Sequence, residues 1–158
     1  MTLCEKALAS ETTATALAAL ECITALGERA AVLAPALTSL ATSADPVLRL
    51  AAIESGVGGF DFRTLIATET MPALRRACVT ALARHDGVAA LPDLVAALRD
   101  ADWGVRAAAT EAMHALGDAV VPALEPLTRD PDARIRTAAV QVLIRLGRET
   151  WLEEELLA

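Results

Sequence analysis

Few side chains in this sequence could carry out chemistry: it contains two histidines and three cysteines. His85 and His114 could serve as general bases, because histidine titrates near neutral pH. Both fall in the last turn of a predicted helix, where the helix dipole favours positive charge, and we interpret them as solvated surface residues. The sequence has no glycine-rich phosphate loop, no GxSxG motif and no HExxH motif. We therefore predict no catalytic residues and no enzyme activity.

The three cysteines, Cys4, Cys22 and Cys78, are widely spaced, and no CxxC pair occurs. An odd number of cysteines at such spacing favours neither a zinc site nor a disulfide framework. We therefore predict no bound metal and no cofactor.

The composition indicates which elements position these side chains. Alanine and leucine, the strongest helix formers, supply 36 and 24 of the 158 residues, whereas tyrosine is absent and phenylalanine and tryptophan occur twice each. Hydrophobic residues make up 54% of the chain, which is far more than a disordered protein contains. The composition predicts an all-α domain with a sizeable core.

The formal net charge is −7, which limits the classes of partner. An acidic surface repels the phosphates of nucleic acids and anionic membranes, so we expect neither as a partner. No basic segment precedes an apolar stretch near Met1, and no apolar run is long enough to span a bilayer. We expect a cytoplasmic location.

Glycine recurs at multiples of 30 residues, which indicates an internal repeat. These glycines are Gly27, Gly87, Gly117 and Gly147. The dipeptide Val105-Arg106 recurs as Ile135-Arg136 at the same step. The five predicted repeats, within one domain of residues 1–158, cover residues 1–27, 28–60, 61–87, 88–117 and 118–147.

Each repeat is predicted to contain two helices, and the fourth repeat shows the signals most clearly. Pro92 suits the first turn of the first helix, and Asp102 lies where a side chain can cap the second. Gly117 then ends the second helix as a left-handed residue. In this alignment Cys78 takes the place of Ala108, Cys22 that of Ala112 and Cys4 that of Leu94, so we predict all three thiols in the core.

The repeat resembles the HEAT-repeat family, specifically the short bacterial HEAT-like units also found in phycobilisome lyases. The matching segments are Leu91-Pro92-Asp93-Leu94, Asp102 to Ala109 and Leu116-Gly117. The resemblance implies a right-handed α-α superhelix, a solenoid of about five helix pairs, because one pair alone cannot bury both of its faces. It specifies a fold far more strongly than a function, and it implies no reaction.

A set of acidic and basic residues recurs once in most repeats, at the start of the second helix. We predict that the arginines pair with the acids of the turns as a structural ladder, and not as a phosphate clamp. The members are Asp45, Arg49, Arg76, Asp102, Arg106, Asp132 and Arg136.

The outward positions of the second helices are the candidate binding face, because solenoids bind partners on that surface. The N-terminal half of this face is apolar and its middle is polar, and an exposed apolar cluster indicates a partner site. The predicted partner-binding residues are Leu17, Leu20, Glu21, Leu50, Ile53, Val57, Thr80, Arg84, Thr110 and His114. The alternative is that curvature, or the glycine-rich linker Ser55 to Phe62 folding back, buries part of this cluster.

The predicted function is a non-enzymatic scaffold or adaptor that binds another protein, with a homodimer also possible through the apolar face. A phycobilin-lyase-like or chaperone-like accessory protein is the first alternative, and a DNA-lesion-binding HEAT-like protein is the second. The tail, residues 148–158, is acidic, and we predict that it forms a helix capping the last repeat. In the turn of the fourth repeat, Trp103 could serve as a contact hot spot, although packing onto the next turn is the commoner role of such a residue.

Overall fold

The computed structural model describes residues 3–10, 12–26, 32–57 and 59–148. Within these ranges the backbone is helical with short turns and contains no strand, as the composition predicts. The helices are α1 (Leu3–Leu8), α2 (Thr13–Leu26), α3 (Ala34–Leu40), α4 (Pro46–Glu54), α5 (Phe62–Thr68), α6 (Pro72–Asp86), α7 (Leu91–Ala97), α8 (Trp103–Ala115), α9 (Val121–Leu124) and α10 (Ala133–Arg145).

Each predicted repeat contains two of these helices, a shorter first helix and a longer second one. The first helix of the fifth repeat is the shortest, because α9 ends at Leu124 and a 3-10 helix, Pro126–Arg129, follows. Pro126 has no backbone N–H to continue the α-helical bonding, which explains the break. The predicted tail helix lies outside the described residues, apart from Arg148.

Aspartate side chains begin the second helices as predicted. Asp45 accepts a hydrogen bond from the Val47 amide at 2.9 Å, and Asp102 accepts one from the Val105 amide at 3.1 Å. Asp132 caps α10 in the same way, through the Arg134 amide at 2.9 Å. Each cap satisfies an amide at the helix start that has no partner within the helix.

Left-handed glycines end the helices of the later repeats, as predicted for Gly117 and Gly147, whose φ angles are 67° and 72°. At Gly147 the amide donates to the Ile144 carbonyl at 2.9 Å, and the next amide, that of Arg148, donates to the Leu143 carbonyl at 2.9 Å. This pair of bonds is a Schellman motif, and a residue with a Cβ would be strained at its left-handed position.

The chain divides into two compact units, an N-terminal unit (Met1–Ala81) and a C-terminal unit (Leu82–Ala158). Within the N-terminal unit α2 packs against α4, and within the C-terminal unit α8 packs against α10, so second helices are neighbours in both. Ala109 and Ala139, which are 30 residues apart, are fully buried in the C-terminal unit. Their small side chains allow α8 and α10 to approach closely, as the repeat predicts. Among the described helices, none combines the length and the apolar character that crossing a membrane requires.

Candidate functional site

The arginines of the second helices hold the turns that precede them. Arg49 Nη1 donates to the carbonyl oxygen of Ser43 at 2.8 Å, and Arg106 Nη1 donates to those of Asp100 and Ala101, both at 2.8 Å. Arg136 Nη1 makes the equivalent bonds, to the carbonyls of residues 130 and 131 at 2.8 and 2.9 Å. These are charge-assisted bonds to peptide groups of the turn that are left outside the helix ladder.

The contacts of these arginines differ from the predicted ladder. Asp45, Asp102 and Asp132 cap helices through backbone amides, whereas the guanidinium groups of Arg106 and Arg136 bond to carbonyl oxygens instead. The cause is geometric: an N-cap aspartate turns toward the helix axis, whereas an arginine four residues later reaches back over the turn.

The third repeat uses a different arginine from the one predicted. Arg75 Nη1 donates to the carbonyls of Glu69 and Thr70 at 3.1 and 3.0 Å, whereas Arg76 is exposed. Arg75 lies four residues after Met71, as Arg106 lies four after Asp102, and the Met71 carbonyl accepts the first bonds of α6. A strict 30-residue step misses this shift by one residue.

Two turn acids do pair with an arginine of the preceding repeat, Glu69 with Arg49 and Asp130 with Arg99. Arg49 Nε lies 3.2 Å from Glu69 Oε2, and both side chains are largely buried. Partial burial alone would raise the pKa of Glu69, but the Met71 amide and the Arg49 guanidinium outweigh it and hold that pKa below its ordinary value of 4.5. This contact joins the second and third repeats inside the N-terminal unit.

The predicted apolar binding surface of the N-terminal unit is wrong in its centre, because three of its residues are core. Leu20 and Ile53 are each only 2% exposed, and Val57 is 7% exposed. Val57 belongs to the same buried cluster as Leu20, and Phe60 packs against that cluster. The linker after α4 thus covers the face, as the alternative interpretation of the sequence has it. Leu17 and Leu50 are half-buried beside it.

The polar members of the predicted face are more accessible. Glu21, Thr80 and Arg84 are exposed, while Thr110 and His114 are half-buried on α8. Thr110 and His114 lie four residues apart, one turn along the same helix face. They are the part of the predicted surface that the structure places beside an open groove.

This groove lies between α8 and α10, on their outward side, and has two adjoining parts. One part, of about 450 Å³, lies toward the C-terminal ends of the helices, and the other, of about 510 Å³, lies toward their N-terminal ends. Both parts are lined by Ala107, Thr110 and Gln141, which makes them continuous. The first part is completed by Glu111, Ile144 and Arg145, and the second by Leu98, Trp103, Arg106, Ala133, Arg134, Thr137 and Ala138. We call this surface the α8–α10 groove.

Large apolar side chains stand at the two ends of the α8–α10 groove. Trp103, at the first turn of α8, is 73% exposed, and Ile144, in the last turn of α10, is 42% exposed. Between them the floor is built from alanine and threonine, whose short side chains leave the space open. An exposed indole beside a groove is a feature typical of protein-binding hot spots.

An ion pair crosses the groove near Ile144. Arg145 Nη1 lies 2.5 Å from Glu111 Oε1, and its Nη2 lies 3.1 Å from Glu111 Oε2. This bidentate bond lowers the pKa of Glu111 and raises that of Arg145. His114 Nδ1 lies 3.3 Å from Arg145 Nη2, so the predicted surface histidine belongs to this polar cluster.

The cysteines differ from each other in environment. Cys78 is fully buried, as predicted, and desolvation together with the negative charge of Glu69 raises the pKa of its thiol to about 12. A thiol with that pKa carries almost no thiolate at neutral pH and is a poor nucleophile. Cys22 is exposed on α2, so the prediction that it is a core residue is wrong. The side chain of Cys4 lies outside the described part of the chain.

A family model described as HEAT repeats matches residues 61–144, slightly more than half of the chain. The chain belongs to the HEAT-repeat family. HEAT repeats generally mediate interactions between proteins and are typically non-catalytic. The matched HEAT region contains α8 and, apart from its last residue Arg145, α10, and therefore nearly all of the groove between them. The comparison with curated proteins found no match.

Sequence reasoning missed most of the groove of these HEAT repeats. The groove residues of α10 are Gln141, Ile144 and Arg145. Ile144 shares its repeat position with His114, but the predicted binding residues included none from α10 and took their apolar members from the first two repeats. The signal for Trp103 was its place directly after the capping Asp102. The side chain of Trp103 at that position is largely exposed.

Proposed function

We propose that this protein is a non-enzymatic scaffold or adaptor, and that it binds another protein through the α8–α10 groove. The observation that carries the proposal is the exposure of Trp103 and Ile144 at the two ends of one continuous groove. Exposed large apolar residues grouped on a concave surface favour association, because binding removes their surface from water. The family supports the same class of function.

The proposal keeps Thr110 and His114 as binding residues and moves the apolar contacts from the N-terminal unit to Trp103 and Ile144. Thr110 Oγ1 donates to the Arg106 carbonyl at 3.0 Å, and the same oxygen can still accept a hydrogen bond from a partner in the groove. Gln141, facing it, offers both a donor and an acceptor. The groove therefore combines apolar ends with a polar centre, the usual composition of a protein-binding surface.

The test is affinity capture from the native cell with three forms of the protein. The wild type and a double variant, Trp103→Ala with Ile144→Glu, are compared with Val88→Glu, which changes another exposed apolar residue outside the groove. We expect one set of proteins to be retained by the wild type and by Val88→Glu and lost from the double variant. Equal recovery by all three forms, with all three folded by circular dichroism, would contradict the proposal.

We also propose that the five repeats form one domain and continue as a right-handed α-α superhelix. The side-by-side packing of second helices within each unit supports this, because the same contact repeated along the chain generates a solenoid. A single cooperative urea transition, seen alike by circular dichroism and by tryptophan fluorescence, is the expected result. Two separate transitions would show that the N-terminal and C-terminal units are independent domains.

We also propose a cytoplasmic location for the protein and for the partner that it binds. Fractionation of native cells with an antibody to the protein tests it, and recovery in the cytosolic fraction is expected. The homodimer that the sequence suggests would have used the apolar N-terminal face, whose central residues Leu20 and Ile53 are buried. We therefore expect the purified chain to sediment with the mass of a monomer, and twice that mass would show that a dimer forms through another surface.

A further inference from the structure

We propose that the α8–α10 groove binds a short acidic segment of the partner, whose large apolar side chain packs on Trp103 and whose carboxylates pair with Arg106 and Arg134. The inference rests on the proposed function and adds to it the chemical class of the partner. It depends on the charges that line the groove, on its length and on an arginine–carboxylate pair already present in it.

Two arginines and, among the described residues, no acidic side chain line the Trp103 end of the groove. Arg106 and Arg134 are the charged side chains among its lining residues. The nearby acids of the turns are held elsewhere: Asp102 caps α8, and Asp130 accepts bonds from the Asp132 amide at 2.8 Å and from Arg99 at 3.0 Å. Their carboxylates stay charged but bond to groups outside the groove lining, so the charges that line this end are the guanidinium groups.

Arg106 is held in place for this role. Its Nη1 atom donates to the two turn carbonyls, which keeps the planar group at the start of α8 beside Trp103. A guanidinium fixed in this way loses little side-chain entropy when it meets a carboxylate. Arg134, which is exposed on α10, faces it from the other side of the groove.

The other end of the groove already contains the kind of contact that we infer. Glu111 and Arg145 form a bidentate carboxylate–guanidinium pair across α8 and α10. That pair neutralises the Ile144 end, so an incoming acidic group is directed to the Trp103 end. The two ends of the groove therefore differ: the Trp103 end has unneutralised arginines, and the Ile144 end is apolar with a neutralised ion pair.

The groove has the length of a short peptide. Its lining residues on α10 extend from Ala133 to Arg145, a helix rise of about 18 Å. An extended chain covers that distance in about five or six residues. A segment of this size can place carboxylates at Arg106 and Arg134 and an apolar residue at each end.

The charge of the whole chain favours an acidic peptide over a nucleic acid, although an exposed tryptophan beside two arginines could also stack a base. Duplex DNA carries one charge per about 1.7 Å, so a bound polyanion extends far beyond two guanidinium groups and meets a chain of net charge −7. A segment with two or three carboxylates reaches only the two arginines that line the groove.

The test is a selection from a random twelve-residue peptide library displayed on phage, with the full chain immobilised. We expect the enriched peptides to carry an excess of Asp and Glu near a large apolar residue. Their affinity is expected to fall about tenfold in Arg134→Glu and in Trp103→Ala, and to weaken as ionic strength rises. Arg134 is chosen because its guanidinium, unlike that of Arg106, makes no bond to a turn carbonyl.

The matched control is Arg76→Glu, which makes the same change of charge at an exposed site in the N-terminal unit. Peptides that bind Arg76→Glu as weakly as Arg134→Glu would overturn the inference, because the effect would then reflect net charge alone. Enriched peptides that lack acidic bias but are lost with Trp103→Ala would overturn the acidic partner and leave the proposed function standing. No enrichment, or enrichment indifferent to Trp103→Ala, would overturn both.

Binding of a fluorescent single-stranded oligonucleotide is measured on the same proteins. We expect no saturable binding at 150 mM salt, a value near physiological ionic strength. Oligonucleotide binding that is tighter than that of the selected peptides and lost in Arg134→Glu would assign the groove to nucleic acid instead.

Discussion

The second helices of the N-terminal and C-terminal units are built to one plan, yet their outward faces have opposite roles. On α2 and α4 the outward positions hold Leu20 and Ile53, which are buried. On α8 the equivalent position holds Thr110, which lines an open groove. Two things differ, the size of the side chains and whether another segment covers them. The large apolar residues are buried within their unit, whereas the smaller Thr110 lies in an open groove.

The covering of the N-terminal face depends on the segment after α4. Ser55 Oγ donates to the Ala52 carbonyl at 2.6 Å and accepts from the Val57 amide at 3.3 Å, which turns the chain back over the helix end. Gly56, with φ of 68°, supplies the left-handed residue that this turn needs. No such segment interrupts the step between the fourth and fifth repeats.

The largest expected effect is a difference in alkylation rate between two cysteines of the N-terminal unit, one exposed and one buried. Iodoacetamide at pH 8 should alkylate the exposed Cys22 at least about 100-fold faster than Cys78, whose pKa of about 12 leaves only about 10⁻⁴ of it as thiolate. Peptide mapping by mass spectrometry measures both rates. Equal rates in the native protein would show that the burial of Cys78 is not maintained, and equal rates in urea are the control.

The next contrast compares equivalent positions in the two units. Leu20→Ala leaves a cavity in the N-terminal core and should lower the free energy of unfolding by about 3 kcal/mol. Thr110→Ala should cost below about 1 kcal/mol, because it removes one partly buried hydroxyl and opens no cavity. Urea unfolding followed by circular dichroism gives both values. Similar losses would mean that the two faces are equally buried.

A smaller effect separates Arg75 from its neighbour. Arg75→Ala removes bonds to two turn carbonyls and should destabilise the protein by about 1–2 kcal/mol. Arg76→Ala removes an exposed side chain and should change stability by less than about 0.5 kcal/mol. The same unfolding measurement decides between them, and the reverse order would restore the strict 30-residue register.

The smallest effect concerns the pH dependence of two arginine–glutamate pairs. The pKa of Glu69 is lower in the folded protein than its ordinary 4.5, so its stabilising effect is present above that value and is lost as pH falls through the folded pKa. The difference in stability between the wild type and Glu69→Gln should therefore shrink between pH 6 and pH 3. Glu111→Gln removes the exposed pair of the C-terminal unit and should show little difference at either pH, because solvent screens it. A larger difference for Glu111→Gln than for Glu69→Gln would contradict the burial of the Arg49 pair.

Periodicity and local signals were sufficient to predict the helical elements of this chain. The 30-residue step, the aspartate caps and Gly117 depend on backbone geometry within a few residues, and such signals are legible in one sequence. The third repeat shows the boundary of that approach: Met71 occupies the cap position and shifts the arginine by one residue, which no fixed step reveals.

The binding surface was harder to predict, because exposure is a tertiary property. Leu20 and Thr110 occupy the same repeat position, and only the fold of the chain after Ile53 decides that the former is core. Apolar content on an outward face predicts a partner only where nothing in the same chain covers it. The exposed Trp103 was visible in the sequence, but its groove required the position of α10.

The bonds from the second-helix arginines to their own turns have a consequence for how such a chain changes in evolution. Each of these bonds joins residues no more than six apart in the sequence, as between Arg106 and Asp100. A duplicated or inserted repeat therefore contains both partners of the bond that holds its turn. The pairs Arg49–Glu69 and Arg99–Asp130 instead join successive repeats, so each pair forms only when those two repeats are neighbours. A repeat can therefore be copied without loss of its internal turn, whereas its contacts with its neighbours depend on which repeats stand beside it.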